Sequence, residues 1–172
     1  MAEEQANQPQ QQFEIQRIYI KDLSFESPSA PAVFTKAFNP EVGVELNTAH
    51  RSLSEGVYEV ELNITLTVKS EGEMAYLVEV KQAGIFVAAG YPDEQLAHLL
   101  ASYCPNIIYP FARELISEMA VRGGFPQQLL APINFDALYA QHLQENQQGT
   151  DTEAASAEAA PAEETSSEDV KH

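Results

Sequence analysis

Val57-Tyr58-Glu59-Val60-Glu61-Leu62-Asn63-Ile64-Thr65-Leu66-Thr67-Val68 is the stretch that decides the architecture. Tyr58, Val60, Leu62, Ile64, Leu66 and Val68 alternate with Glu59, Glu61, Asn63, Thr65 and Thr67. A period of two predicts a strand with one buried face and one wet face. Working outward, Ser54-Glu55-Gly56 predicts a hairpin to a preceding strand, in which Val42, Val44 and Leu46 alternate with Glu41, Gly43 and Glu45. On the other side, Glu71-Gly72-Glu73 predicts a second hairpin into a strand over 74–87. Parity then gathers Glu41, Glu45, Glu59 and Glu61 on the wet face. If Leu77 and Glu79 share it, Tyr76, Val78 and Val80 point to the aliphatic side. A fourth run, Ile15 to Glu26, carries apolar residues on both parities and reads as a strand at a subunit boundary, with both faces partly covered. Asp22 and Glu26 share one face of it. Ser27-Pro28-Ser29-Ala30-Pro31 is no tight hairpin and is expected to cross the sheet or its edge.

Helices follow the strands. Asp93 is expected to cap a short one bearing Leu96, Leu99, Leu100 and Tyr103 at a 3.6 repeat, which Pro105 interrupts. A long amphipathic helix then runs to about Val121, with Pro110 near its first turn, and Arg122-Gly123-Gly124 stops it. Asn134 caps a last helix with Phe135, Leu138, Tyr139 and Leu143. Strands first and helices after them give an α+β class. On the long helix the apolar positions 107, 108, 111, 112, 115, 116, 119 and 120 form two adjacent stripes. That is wider than the roughly 100° a single core-facing helix buries. The second stripe either packs on another subunit or is covered within the domain.

Composition narrows the partners. The chain has 172 residues, 44% hydrophobic, with a formal charge of −17. Seven acids against Lys171 between Thr150 and His172 account for −6 of it. An acidic body repels phosphates, so neither nucleic acid nor insertion into an anionic membrane is expected, whereas basic protein surfaces fit. A single cysteine, Cys104, cannot close an intrachain disulfide, and the start, Met1-Ala2-Glu3-Glu4-Gln5, has no basic or apolar signal region. Apolar runs are too short to span a bilayer. These features point to the cytoplasm. The polar, Gln-rich segment 1–12 and the Ala/Glu-rich tail 147–172 are expected to be disordered, leaving one domain over 13–146.

Catalytic groups are not assembled by the pattern. His50, His98, His142 and His172 are scattered, Cys104 has no histidine nearby and reads as a small hydrophobe, and no phosphate-cradling glycine loop occurs. No enzyme, cofactor or metal is expected. Two other signals remain. One is the acidic sheet face, either merely solvated or a docking surface. The other is a surplus of apolar and aromatic side chains, either core or groove.

Tyr103-Cys104-Pro105-Asn106-Ile107-Ile108-Tyr109-Pro110-Phe111-Ala112-Arg113-Glu114 and Leu130-Ala131-Pro132-Ile133-Asn134-Phe135-Asp136-Ala137-Leu138 add a resemblance. With Ile15-Gln16-Arg17-Ile18-Tyr19-Ile20-Lys21-Asp22-Leu23-Ser24-Phe25-Glu26 and Gln82-Ala83-Gly84-Ile85-Phe86, the chain closely resembles the SecB family of bacterial protein-export chaperones, from about Phe13 to about Leu143. The resemblance implies a four-stranded antiparallel sheet with helices on one face, assembled as a homotetramer, a dimer of dimers. It implies an ATP-independent holdase that keeps precursors unfolded in hydrophobic grooves and delivers them to SecA. By the same resemblance, Asp22, Glu26, Leu77 and Glu79 are the SecA-binding positions. Phe34, Phe38, Val78, Val80, Gln82, Phe86, Tyr109, Phe111 and Phe125 are candidates for the client groove or the subunit interface. Two other readings stay open: an antitoxin-associated chaperone of narrower range on the same scaffold, and an enzyme holding a small ligand in the groove.

Overall fold

The computed structural model describes residues 10–145, and the expectations of disorder for most of the polar start and for the acidic tail fall outside them. Four strands, β1 (Gln12–Glu26), β2 (Pro40–Ser54), β3 (Val57–Ser70) and β4 (Glu73–Ala89), form one antiparallel sheet in the order β1-β4-β3-β2. β1 and β2 are therefore opposite edges, and the Pro-rich segment crosses the whole sheet between them. Its route is fixed by Ser27 Oγ donating to the Ala75 carbonyl (2.8 Å), Asn39 N donating to Ser70 Oγ (3.0 Å), and a Lys36–Glu73 ion pair (2.7 Å).

Both expected hairpins form. Glu71 (φ 52°) and Gly72 (φ 81°) are both left-handed, the primed turn whose twist matches that of the flanking strands. Opposite this turn's strands, Val60, Leu62, Ile64, Leu66 and Val68 are at most 1% exposed and face the helices, with Tyr76, Val78 and Val80 beside them. Burying each such valine, leucine or isoleucine contributes about 1.5–3 kcal/mol, so this face dominates the fold's stability.

β1 corrects the reading of a two-faced strand. Its register with β4 shifts twice, between Ile15 and Arg17 and between Ile20 and Asp22, so Gln16 and Lys21 are extra residues in bulges. Each bulge moves the parity by one. Phe13, Ile15, Ile18, Ile20, Leu23 and Phe25 thereby pair opposite helix-facing residues of β4, and Tyr19, Asp22, Ser24 and Glu26 opposite outward-facing ones. Mixed parity in the sequence is one-sided burial in the fold.

The helical layer covers the inner face. α1 (Asp93–His98), a wider π turn (Leu99–Tyr103) and α2 (Cys104–Arg122) run on without a break. Pro105 therefore does not interrupt the helix as expected. The looser turn immediately before it takes up the missing N–H and the ring's bulk. Asp93 is inside the first turn, with Pro92 at the cap and no side-chain cap bond, another departure from expectation. α2 ends in a Schellman closure at Gly123-Gly124, with Gly124 N bonded to Val121 O (3.0 Å) and Phe125 N to Ala120 O (3.0 Å). Helix α3 (135–145) is capped by Asn134, whose Oδ1 accepts from Ala137 N at 3.0 Å.

α2 lies on β3 and β4 through Ile108, Ala112, Ile116 and Ala120, all at 0% exposure. Close approach depends on Gly84 of β4. A Cβ there would sit 2.7 Å from the Phe86 ring and 3.2 Å from Ile108. Phe86 is fully buried and cannot swing away. Gly84→Ala is therefore expected to lower the unfolding free energy by about 1–3 kcal/mol through overpacking. Urea denaturation measures it, and an unchanged midpoint contradicts this packing.

Candidate functional site

The sheet separates two surfaces. On its outer face, the register aligns Glu26 with Leu77, Ser24 with Glu79 and Asp22 with Lys81. The four positions singled out in the sequence, Asp22, Glu26, Leu77 and Glu79, are thus brought together at one corner of two adjacent strands. Glu79 accepts from Ser24 Oγ (3.3 Å), and Asp22 Oδ1 accepts from Leu23 N (3.1 Å). Among the described residues, none of these three acids joins a salt bridge. Leu77 is half-buried among them.

Further along the same face the acids are occupied. Glu59 is only 4% exposed and accepts from the Tyr19 hydroxyl, from Lys21 Nζ (3.2 Å) and from Arg51 Nε (2.5 Å). Lys21 also donates to Glu61 at 2.6 Å. Tyr19 and Lys21 reach over β4 above buried Ala83, so the cluster ties β1, β3 and β2 across the face. Burial pushes the Glu59 carboxyl up, but the hydrogen bonds from Tyr19, Arg51 and Lys21 outweigh it and hold the group below its ordinary 4.5. The Lys21 bond holds Glu61 below 4.5 as well, and the same bond raises Lys21 above 10.5. Glu59 and Glu61 are therefore on the predicted face but are not part of a free acidic surface. Nothing local marks this, because Lys21 lies 38 and 40 residues from its partners.

The inner face carries the apolar candidates. Phe125 packs on Phe34 (5.1 Å between ring centroids), Phe38 (5.7 Å) and Tyr76 (4.5 Å), and Tyr76 stacks on Phe25 (5.7 Å). This aromatic cluster lies where the crossing segment, β1's end and the turn after α2 meet. Phe34 is 51% exposed and Phe38 partly so. Tyr76 and Phe25 complete the cluster. The first was readable from parity and the second was hidden by the Lys21 bulge. Val78, Val80, Phe86, Tyr109 and Phe125 are interior in the protomer, which removes them from any groove open on its surface and leaves Phe34 and Phe38 as the open part of the cluster. The Tyr109 hydroxyl donates to the Ala131 carbonyl (2.6 Å) and ties down the segment before α3.

Gln82 and Phe111 line a separate apolar groove of about 360 Å³ between α2 and β1, with Ile18, Ile20 and Leu115. Gln82 donates to the Tyr19 carbonyl (2.9 Å) beside the bulge. Ile20 (50%) and Phe111 (47%) stay exposed there. The second stripe of α2 thus opens onto this groove instead of the sheet. A wider groove of about 770 Å³ runs along the far side of α2 past Arg113, Glu118, Val121 and Leu129.

Elsewhere, Asp136 of α3 accepts from Ser102 Oγ (2.5 Å), and His98 Nε2 lies 2.8 Å from the same oxygen. Ser102, His98 and Asp136 together pin α3 to α1 and the π turn. Ser102 is nevertheless bonded to the aspartate and not to the histidine, so the trio lacks the nucleophile–base contact of a hydrolytic site. Cys104 is fully buried, and burial pushes its thiol up to about 12, which makes it inert. No helix among the described residues is long and apolar enough to cross a membrane.

A sheet with one helical face, aromatic grooves on that side and a charged corner on the other defines a protein-binding chaperone class. The chain belongs to the SecB family: the family model described as preprotein translocase subunit SecB matches residues 5–146. It is 54% identical over 156 residues to a protein-export protein SecB of Thioalkalivibrio sulfidiphilus, covering 90% of each chain. It is 53% identical over 145 residues to that of Methylococcus capsulatus, covering 84% of this chain and 94% of the other. In fold it is similar to the SecB-like chaperone Rv1957 of Mycobacterium tuberculosis, solved with a ChAD peptide from the HigA1 antitoxin. The TM-score is 0.60 at 17% identity, over 70% of this chain and 90% of that one.

The outer-face cluster has a pH signature. Depressed Glu59 and Glu61 contribute stability that is complete above 4.5 and is lost as pH falls through their folded values. Raised Lys21 contributes stability that is complete below 10.5 and is lost above it. Urea denaturation of wild type and Glu61→Gln should show a stability gap at pH 7 that closes progressively below 4.5. A gap of constant size across that range contradicts the cluster.

Proposed function

We propose that this protein is an ATP-independent, cytoplasmic holdase of protein export. It binds unfolded precursors in the groove at the aromatic cluster, where Phe34 and, in part, Phe38 stay exposed, and it presents its acidic corner to SecA. What supports the reading is the placement of Asp22, Glu26, Leu77 and Glu79 in one patch, on the opposite side of the sheet from the exposed aromatics. A client of arbitrary sequence is held by many apolar contacts and main-chain partners, with little polar readout. The corner works differently. Exposed ion pairs contribute about 0–1 kcal/mol each, so the acids set orientation and association rate while Leu77 supplies short-range packing.

The active form is a homotetramer, a dimer of dimers. Exposed Phe111, Val121, Leu129 and Ile20 along both sides of α2 support burial against other copies. Arg113, Glu114, Glu118 and Arg122 on the same helix give that surface charges of both signs, suited to a self-complementary contact. The domain spans 13–146, with the start and tail as solubilising segments. Export is favoured over an antitoxin-directed role by 53–54% identity to export proteins, against 17% to the antitoxin-bound chaperone.

Glu79→Lys separates the activities. The variant should keep a light-scattering mass near four times 18.9 kDa and should still suppress aggregation of an unfolded precursor without ATP. Its SecA affinity should fall by about tenfold or more and lose much of its salt sensitivity, because screening acts on the attraction that was removed. Parallel loss of client and SecA binding at unchanged mass contradicts two separate surfaces.

A further inference from the structure

The outer face is not uniformly acidic, and its register gives the boundary. Moving along β4, the row Glu26–Leu77–Thr67–Gly43 is followed by Ser24–Glu79–Thr65–Glu45. Then come Asp22–Lys81–Asn63–Asn47, Tyr19–Ala83–Glu61–Ala49 and Arg17–Ile85–Glu59–Arg51. The first two rows hold unpaired acids around Leu77. From the third row onward each acid shares its neighbourhood with a cation: Lys81, Lys21, Arg51 or Arg17. Lys21, the bulge residue next to Asp22, leans away from the corner to bond Glu59 and Glu61. Glu61 would otherwise be free beside it, with its side chain 18% exposed.

We propose that Lys21 is a specificity-determining residue that confines a basic protein segment to the Asp22–Glu26–Leu77–Glu79 corner. The inference rests on that corner being the docking surface. A basic segment sliding toward β3 must displace Lys21 from Glu61, the carboxylate there that solvent reaches. That side chain is tethered at high effective concentration and already holds the carboxylate, so the exchange gains little. Glu26 and Glu79 at the corner have no such internal competitor, and Asp22, opposite Lys81, joins no salt bridge. Opposite charge therefore attracts the partner to the whole face, but only the corner offers unoccupied carboxylates together with an apolar contact. Without Lys21, Glu61 would be left beside Asn63 and Lys81 with no salt bridge, one more carboxylate in reach of the partner on a third strand, and the partner's position would no longer be unique.

The test uses the full chain and a fluorescein-labelled decalysine peptide at low ionic strength. Wild-type affinity should fall with Glu79→Gln and stay unchanged with Glu61→Gln. Lys21→Met should tighten binding by about two- to fivefold, the range expected for freeing Glu61, whose side chain is 18% exposed, from one ion pair, and should make binding sensitive to Glu61→Gln. Arg51→Gln removes one positive charge from the same face at a side chain 63% exposed, but leaves Glu59 almost out of water and held by Tyr19 and Lys21, so it controls for net charge and should change affinity little. Wild-type binding that ignores Glu79→Gln overturns the corner as the docking surface. Dependence on Glu79, with no gain in Lys21→Met or with an equal gain in Arg51→Gln, overturns the confinement alone.

Discussion

One-sided burial of the sheet is the constraint on which the rest depends. Alternate residues of β3 and β4 fill the space under α2, and their neighbours face away from the helices. In an antiparallel strand a shift of one residue exchanges the two sets completely. β1 escapes that exchange by carrying two bulges, at Gln16 and Lys21. Removing the second would turn Asp22, Ser24 and Glu26 toward the helices and Leu23 and Phe25 toward solvent. Burial of Leu23 and of Phe25, stacked on Tyr76, is worth more than the exposed ion pairs nearby. Apolar packing therefore fixes the register, and the charged corner is its consequence.

The same division assigns different physics to the two surfaces. On the inner side, aromatic rings from the crossing segment and β4 converge on Phe125, and the exposed edges of Phe34 and Phe38 offer contact without polar selectivity. On the outer side, charge acts at range and Leu77 acts at contact. Between them lies a sheet whose core is fully dry, so a ligand on one face need not disturb the other. Glu59 shows how the outer face is kept in order: a carboxylate almost out of water is held by three donors from two other strands.

Much of this was legible in the sequence. Strict alternation in Val57–Val68, the two glycine turns, the stop at Gly123-Gly124 and the Asn134 cap are local signals, and the fold uses each of them. What failed was also local in origin. Bulges leave no mark except broken parity, which in Ile15–Glu26 resembles a strand covered on both sides. Pro105 looks like a helix stop unless the chain before it can widen into a π turn, which depends on packing. Asp93 was passed over as cap for Pro92, whose extended backbone already sets the helix entry. Pairings across 34–40 residues, Lys21 with Glu59 and Glu61 or Ser102 and His98 with Asp136, come from tertiary approach and have no sequence signature. The aromatic residues were visible as a surplus. Which of them are core and which are groove was decided by the helical layer.

The separation of the two faces is tested most directly by nuclear magnetic resonance of the intact assembly, labelled at leucine methyls and phenylalanine rings. An unfolded precursor should perturb Phe34 and Phe38 and leave the Leu77 methyls unmoved. SecA should perturb Leu77 and leave those rings unmoved. A precursor that shifts Leu77 as strongly as Phe34, with the assembly's mass unchanged, would show that clients occupy the outer face and would contradict the account.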